Sequence, residues 1–332
     1  MLVDTVPMRQ SLARPRAVTP GWRLVMLALL AIAAIALFMT IDARGMWEFV
    51  LPFRGRKVAA IVVVGYAIAI STVLFQTITN NRILTPSIMG FDALYMLIQT
   101  VVVFFLGSGR LLSLDPRLRF GVEVVAMVVF ASVLYFWLFV AAHRSLHLLV
   151  LVGIIFGVMF RSTTGFLQRL IEPNDFVVLQ DAGFASFNAI DQTLLGIAVA
   201  IIGAVTIVVV RMLPVFDVLA LGRETAINLG VDYRRVVTIV LVMVTILVAV
   251  STALVGPITF FGLLVANLAY MLVGSSSHRY VLPAAALLAV VALVGGQTVL
   301  ERVFSFNSSL SIMIEFAGGL MFIILLIRGA AR

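Results

Sequence analysis

The chain has no cysteine, a single lysine, three histidines and very little charge. Each shortage excludes something. Without cysteine there is no disulfide, no thiolate-ligated iron–sulfur cluster and no thiol nucleophile. The lone lysine, Lys57, lies outside any G-x-x-x-x-G-K-[ST] loop, so the chain is not a P-loop ATPase. Neither a Ser/His/Asp arrangement nor a His-Glu-x-x-His run is present, which argues against a membrane-embedded hydrolase. Charged residues make up 11% of the 332 positions, where a soluble domain carries roughly 25%. A chain that is 63% hydrophobic with so little charge needs lipid as its solvent.

What is present are apolar runs that approach or exceed the ~20 residues needed to cross a bilayer core as helix. Examples are Trp22–Thr40, Val58–Thr77, Val122–Ala142, Thr193–Val210, Val236–Leu254 and Val281–Val294. The pattern predicts an all-α, polytopic integral membrane protein of about ten spans, near 22–40, 56–77, 91–107, 121–142, 147–165, 192–212, 235–254, 257–274, 281–299 and 310–327. Asp92 interrupts the third span, and Thr259 and Asn267 interrupt the eighth. Residues 1–21 form a polar tail carrying Arg9, Arg14 and Arg16. The apolar run after it exceeds a signal-peptide core of about 7–15 residues, so it reads as an uncleaved first span. The remaining divisions are a ten-helix transmembrane domain over 22–328, which includes a cytoplasmic loop over 211–235, and a short cytoplasmic tail over 329–332. Of the 23 Lys and Arg, about 13 fall inside and about 10 outside when both termini are cytoplasmic, the orientation the positive-inside rule favours. The net charge of +8 is scattered over short loops, which does not make a nucleic-acid surface.

Four segments carry information. In Leu221-Gly-Arg-Glu-Thr-Ala-Ile-Asn-Leu-Gly-Val231, Gly222 and Gly230 bracket a turn or two of amphipathic helix. Leu221, Ala226 and Leu229 are expected on one face, with Arg223, Glu224 and Asn228 elsewhere. Such a helix can take force from a soluble motor, or simply rest on headgroups. In Gly256-Pro-Ile-Thr-Phe-Phe-Gly-Leu263, Pro257 cannot continue the preceding helix and Gly256 permits a reversal, giving a tight turn. The polar stretch Gln76–Gly90, with Asn80, Asn81, Pro86 and Gly90, reads as irregular backbone at membrane depth. Such backbone survives only where protein or a water-filled cavity covers it, so the stretch is either a pathway wall or an ordinary loop. Arg54, Arg56 and Lys57 precede the second span on the outer side, as interface anchors or as receptors for an acidic partner.

Other residues are weaker signals. His143 and His147 have metal-ligand spacing but no third ligand near them, so no metal site is assigned. Glu315 is an acid within the last span, near its outer end. Gly153 and Gly157 match the small-xxx-small pattern of close helix contacts. They place Ser162, Thr163 and Thr164 near the outer mouth of a pathway along the fifth span.

Taken in order, these segments resemble the FecCD-like permeases of ABC importers, from about Val50 to Arg328. The turn at Gly256–Leu263 is similar to the family's G-P-I-x-F-x-G-L. The segment at Leu221–Val231 is similar to its L-G-x-x-x-A-x-x-L-G-V coupling segment, and Gly318-Gly-Leu-Met-Phe322 to its G-A-P-x-F. Departures are Asn81-Arg-Ile-Leu84 in place of N-P-L-A, Ala266-Asn267 in place of P-H, and Leu320 in place of the final Pro. They point to the branch associated with catecholate-type siderophores.

The resemblance implies a type II ABC importer permease fold in a bacterial cytoplasmic membrane. It implies a non-catalytic permease that moves iron–siderophore cargo inward, with no cofactor of its own. The implied partners are a second permease subunit (a heterodimer in this branch), two cytoplasmic ATP-binding subunits and an extracytoplasmic substrate-binding protein. The coupling residues would be Leu221, Gly222, Arg223, Glu224, Ala226, Leu229 and Gly230. Arg54, Arg56, Lys57 and Arg302 would receive acidic side chains of the binding protein. Gln76, Asn80, Asn81, Gly153, Gly157, Ser162, Thr163 and Thr164 would line the pathway. The alternatives are the same architecture carrying cobalamin or haem, and an ion-coupled secondary transporter, which would need more charge at mid-membrane than this chain offers.

Overall fold

The structure is a computed structural model and describes residues 19–41, 45, 47–137, 146–188, 190–304 and 309–327. Within them the chain is helical, with no strand. The helices are α1 (Pro20–Thr40), α2 (Trp47–Thr79), α3 (Phe91–Leu106), α4 (Ser108–Ser113), α5 (Pro116–Tyr135), α6 (Leu146–Gln168) and α7 (Pro173–Ala182). They continue with α8 (Gln192–Leu219), α9 (Arg223–Asn228), α10 (Tyr233–Val255), α11 (Phe261–Val273), α12 (His278–Arg302) and α13 (Leu310–Ile327). A 3₁₀ turn covers Pro86–Met89. Among the described residues, seven helices (α1, α2, α5, α6, α8, α10 and α12) are long and apolar enough to cross a membrane, and α3, α11 and α13 are shorter apolar helices. Each of the ten expected spans is therefore met by a helix of a multi-pass membrane protein, with residues 138–142 of the fourth lying outside the described residues.

Burial sorts these spans into layers. In the most apolar 18-residue stretch of α2 and of α10, 67% of the residues are buried, against 17% in α1. The first two are the core of the bundle, and α1 is a peripheral helix that buries Leu27, Ala31 and Phe38 and leaves most of its other apolar side chains exposed. α2 packs along α12, α10, α11 and α8. Small residues permit that closeness: Ala60, Ala67 and Ala69 are buried on α2, and Ala284, Ala285 and Ala289 on α12.

Local chemistry fixes the helix ends. Thr19 and Asp115 cap α1 and α5, each followed by a proline whose missing N–H is no loss in a first turn. Asp191 caps α8, and the amides of Leu194 and Thr193 hold its carboxyl below the usual carboxylate range. At the other end of α1, Arg54 Nη1 donates to the carbonyls of Phe38, Met39 and Ile41 at 2.9, 3.1 and 2.7 Å. Arg23 Nη1 does the same for α11, bonding Leu272 and Val273 at 2.9 and 3.0 Å. Cations at helix C-termini satisfy orphan carbonyls and oppose the dipole.

Several boundaries differ from expectation. α2 starts at Trp47, so Arg54, Arg56 and Lys57 lie within a helix that tolerates Pro52 near its start. α8 runs through Pro214 to Leu219, so the stretch 211–235 holds two turns of α8, all of α9 and the first residues of α10. α11 starts at Phe261, leaving 257–260 outside any helix. The short helices α4 and α7 lack the length and apolar run that mark a span, and hydropathy alone does not announce them. Residues 1–18 and 328–332, and with them Arg9, Arg14 and Arg16, lie outside the described residues.

Candidate translocation pathway and coupling surface

Two apolar helices begin inside the bundle. At about 1.5 Å per residue, the 13 residues of α11 reach roughly 20 Å, short of a ~30 Å hydrocarbon core. α3 begins at Gly90, whose φ of 91° is left-handed. A Cβ built there would lie 2.7 Å from Cα of Gly157, and one built on Gly153 would lie 3.1 Å from Cβ of Met89. The Gly153/Gly157 pair thus makes a close contact, with the 3₁₀ turn and the start of α3 as its partner. The α11 start is equally crowded, because a Cβ on Gly262 would run into Thr72 of α2. Phe260, just before α11, holds φ of 50° without being glycine and stays exposed.

The two helix starts meet at Asp92. Its Oδ2 accepts from the Thr259 hydroxyl at 3.3 Å. A cavity of ≈ 20 Å³ beside it is lined by Ser71, Thr72, Thr85, Ser87, Ser251 and Thr252, among others. A polar space of that size fits about one water. Arg161 of α6 and Glu315 of α13 lie close enough for their charges to reach Asp92. Arg161 carries no sequence signal beyond being a charge inside a span, which by itself marks a group facing protein or water rather than lipid. Of the expected mouth residues, Ser162 and Thr163 are exposed, and Thr164 is buried with its hydroxyl unpaired in the structure. Gly256 (φ 98°) makes the reversal before Pro257 and packs its Cα side on Phe184 and Ala185. Ser186 N–H donates to the Val255 carbonyl at 2.8 Å, tying the turn to the loop after α7.

The end of α2 frames a second polar region. Gln76 Nε2 and Asn267 Nδ2 both donate to the Arg82 carbonyl, at 2.7 and 3.1 Å. Asn81 Oδ1 accepts from Ile83 N–H at 2.9 Å, and the Arg82 guanidinium stands 4.4 Å over the Tyr270 ring. Asn81-Arg-Ile-Leu84 and Ala266-Asn267, two of the three departures from the family pattern, are therefore in direct contact. Asn80 (φ 48°) stands between two open cavities. One, of ≈ 760 Å³, is lined by Gln76, Asn81, Arg82, Asp217, Tyr270 and His278, among others. The other, of ≈ 720 Å³, reaches His147, Arg223 and Tyr233. His143, the companion of His147 in sequence, lies outside the described residues.

α9 borders the second cavity. Gly222 (φ 95°) and Gly230 (φ 85°) bracket it as expected, and open space surrounds both, so conformation rather than room requires glycine. The facing of the side chains differs from expectation. Ala226 is fully buried against the bundle, while Leu221, Ile227 and Leu229 point outward. The turn geometry explains it: Val231 N–H folds back on the Ala226 carbonyl at 3.0 Å, drawing that residue inward. Exposed leucines and isoleucine beside Arg223 and Glu224 make an apolar patch with a polar rim.

The four cations expected on the outer side are also placed otherwise than as four exposed charges. Lys57 is 4% exposed and its Nζ lies 2.6 Å from Glu301 Oε1, with Gln297 Nε2 donating to the same oxygen at 2.8 Å. Arg54 is occupied by the end of α1, and Arg302 Nη2 donates to the Ile41 carbonyl at 3.1 Å. Arg56 is exposed, with Nε donating to Pro52 at 3.2 Å.

Comparison with known proteins matches this arrangement. A petrobactin import system permease protein of Bacillus subtilis (strain 168), YclO, is 50% identical over 306 residues, covering 92% of this chain and 97% of the relative. Another, FatC of Bacillus anthracis, is 37% identical over 284 residues, covering 85% and 80%. Among solved structures, a chain assigned to the metal-chelate type of ABC transporter, in an inward-facing conformation, superposes with a TM-score of 0.81. That match has 20% identity and covers 93% of this chain and 99% of the other, so it speaks for the fold. The model of the FecCD transport family matches residues 22–328, and the chain belongs to that family.

Proposed function

We propose that the chain is the membrane-spanning permease subunit of an ABC importer that carries a ferric siderophore of the petrobactin type into the cytoplasm. The observation that carries this reading is 50% identity over nearly the whole of both chains with a petrobactin import permease. Both termini and α9 are cytoplasmic in this reading, and the Asp92–Thr259 region lies part-way along the pathway. α9 receives the motion of two ATP-hydrolysing subunits, because it offers an exposed apolar patch on a short, glycine-bounded helix. A second permease subunit covers the face that carries Arg161 and Ser162, since charge at that depth needs protein or water beside it. A binding protein delivers cargo at the Arg56 side.

Access alternates between the two sides. The ferric ion arrives wrapped in its own ligands, so the wall needs hydroxyls, amides and a few charges rather than metal ligands. Weak contacts suit a pathway that must release what it carries. The test is uptake of labelled ferric petrobactin by cells lacking this chain, with haem and cobalamin as controls. Loss of petrobactin uptake alone, restored by the chain, supports the reading. Unchanged petrobactin uptake with loss of another chelate overturns it.

A further inference from the structure

α9 hangs from the last turn of α8 through Ala220, Leu221 and Gly222. That turn carries Asp217, and both of its carboxylate oxygens are engaged on the start of α12. Oδ1 accepts from the His278 backbone N–H at 2.7 Å and faces His278 Nδ1 at 2.7 Å. Oδ2 accepts from the Ser277 hydroxyl at 2.9 Å. The His278 ring is almost wholly buried, tilted against Phe216 at 5.8 Å between centroids. Its far nitrogen, Nε2, lies 2.7 Å from Thr77 Oγ1 in the last turns of α2. Thr77 Oγ1 also bonds the Val73 carbonyl at 2.8 Å. Next to Thr77 is Gln76, whose amide holds the Arg82 carbonyl and so the irregular strand of chain leading to the 3₁₀ turn.

A helix cap alone accounts for only part of this. Asp217 caps α12 through the His278 amide and the Ser277 hydroxyl, and neither bond needs an imidazole. The ring adds a bridge from the α8 turn that carries α9 to the α2 turn that carries the edge of the pathway. We propose that Asp217, His278 and Thr77 form a relay through which displacement of α9 moves the end of α2, and with it the Gln76–Asn81 edge of the pathway. His278 is a positioning residue in this relay. The proposal rests on the reading that α9 receives motion from the ATP-hydrolysing subunits. Hydrogen bonds of this length can transmit displacement here because the His278 ring and Thr77 are buried, and the half-exposed Asp217 carboxylate is held at both oxygens by Ser277 and His278.

The experiment uses the complete importer in vesicles and measures labelled ferric petrobactin imported per ATP hydrolysed. His278→Phe keeps a ring against Phe216 and removes both nitrogens. Thr77→Val keeps the volume and removes the hydroxyl, and Thr77→Ser returns it. The expected result is a fall of about tenfold in cargo imported per ATP for His278→Phe and Thr77→Val, with hydrolysis stimulated by the binding protein as in the wild type and Thr77→Ser near wild type. An unchanged ratio in Thr77→Val overturns the relay. So does an equal loss of hydrolysis and import, which is the mark of a static brace. Should His278→Phe fail to assemble, the volume-conserving Thr77 pair decides alone. A wild-type importer that hydrolyses ATP without importing the chelate would instead overturn the proposed function, and the two failures are told apart by the wild-type control.

Discussion

Gly90 and Gly157 touch backbone to backbone: a Cβ on Gly157 would lie 3.0 Å from Cα of Gly90. Neither partner is a flexible side chain that could give way. Gly90→Ala also forces a side chain onto a left-handed backbone, which costs about 1–2 kcal/mol before any clash. Overpacking adds about 1–3 kcal/mol. Gly90→Ala and Gly157→Ala should each lower the thermal midpoint of the solubilised protein by several degrees. Gly196→Ala, inside α8 with open space around it, should leave it unchanged or raise it slightly. Equal midpoints for all three would contradict the contact.

The buried pair of Lys57 and Glu301 ties α2 to α12. Removing one partner leaves a buried charge unmatched, at a cost of about 3–5 kcal/mol. Glu301→Gln should reduce the yield of folded protein and its midpoint more than Arg56→Gln, which alters an exposed residue. The double change Lys57→Met with Glu301→Leu should recover most of the loss, because it removes both charges. A Glu301→Gln protein as stable as the wild type would show that the pair contributes little.

Arg56 is the better probe of docking than Lys57. Exposed charge pairs add about 0–1 kcal/mol each but speed encounter. Arg56→Glu should raise the binding-protein concentration needed to stimulate ATP hydrolysis, more at low ionic strength than at high. Hydrolysis without the binding protein should not change. A stimulation curve that is unaltered at both ionic strengths would make Arg56 an interfacial anchor.

At α9, Leu229→Asp should weaken retention of the ATP-hydrolysing subunits during purification, because it puts charge into the exposed apolar patch. Charge reversal at Glu224 should lower cargo moved per ATP. Gly222→Val and Gly230→Val should act through backbone strain at positive φ, so both should reduce coupling although neither side chain meets a neighbour. Wild-type retention and coupling in all four would remove α9 from the interface.

Much of this could be read from the chain alone, and the exceptions have physical causes. The ten spans were legible because lipid demands long apolar runs, and no soluble alternative competes. Gly153 and Gly157 announced a close contact by spacing, although their partner, a 3₁₀ turn, has no spacing signal. Lys57 reads as an exposed cation from sequence because its partner, Glu301, is 244 positions away and nothing local links them. Ala226 was expected beside Leu221 and Leu229 because helical periodicity ignores the fold-back at Val231. Asp217 and His278 were illegible for a similar reason: each is an ordinary polar residue at a helix end until the other is brought beside it.

The most direct test of the whole account uses the complete importer in sealed vesicles with labelled ferric petrobactin outside. Vesicles loaded with ATP should accumulate the chelate when the binding protein is present, and vesicles loaded with a non-hydrolysable analogue should not. Accumulation without ATP, driven by a sodium or proton gradient across this chain, would contradict it.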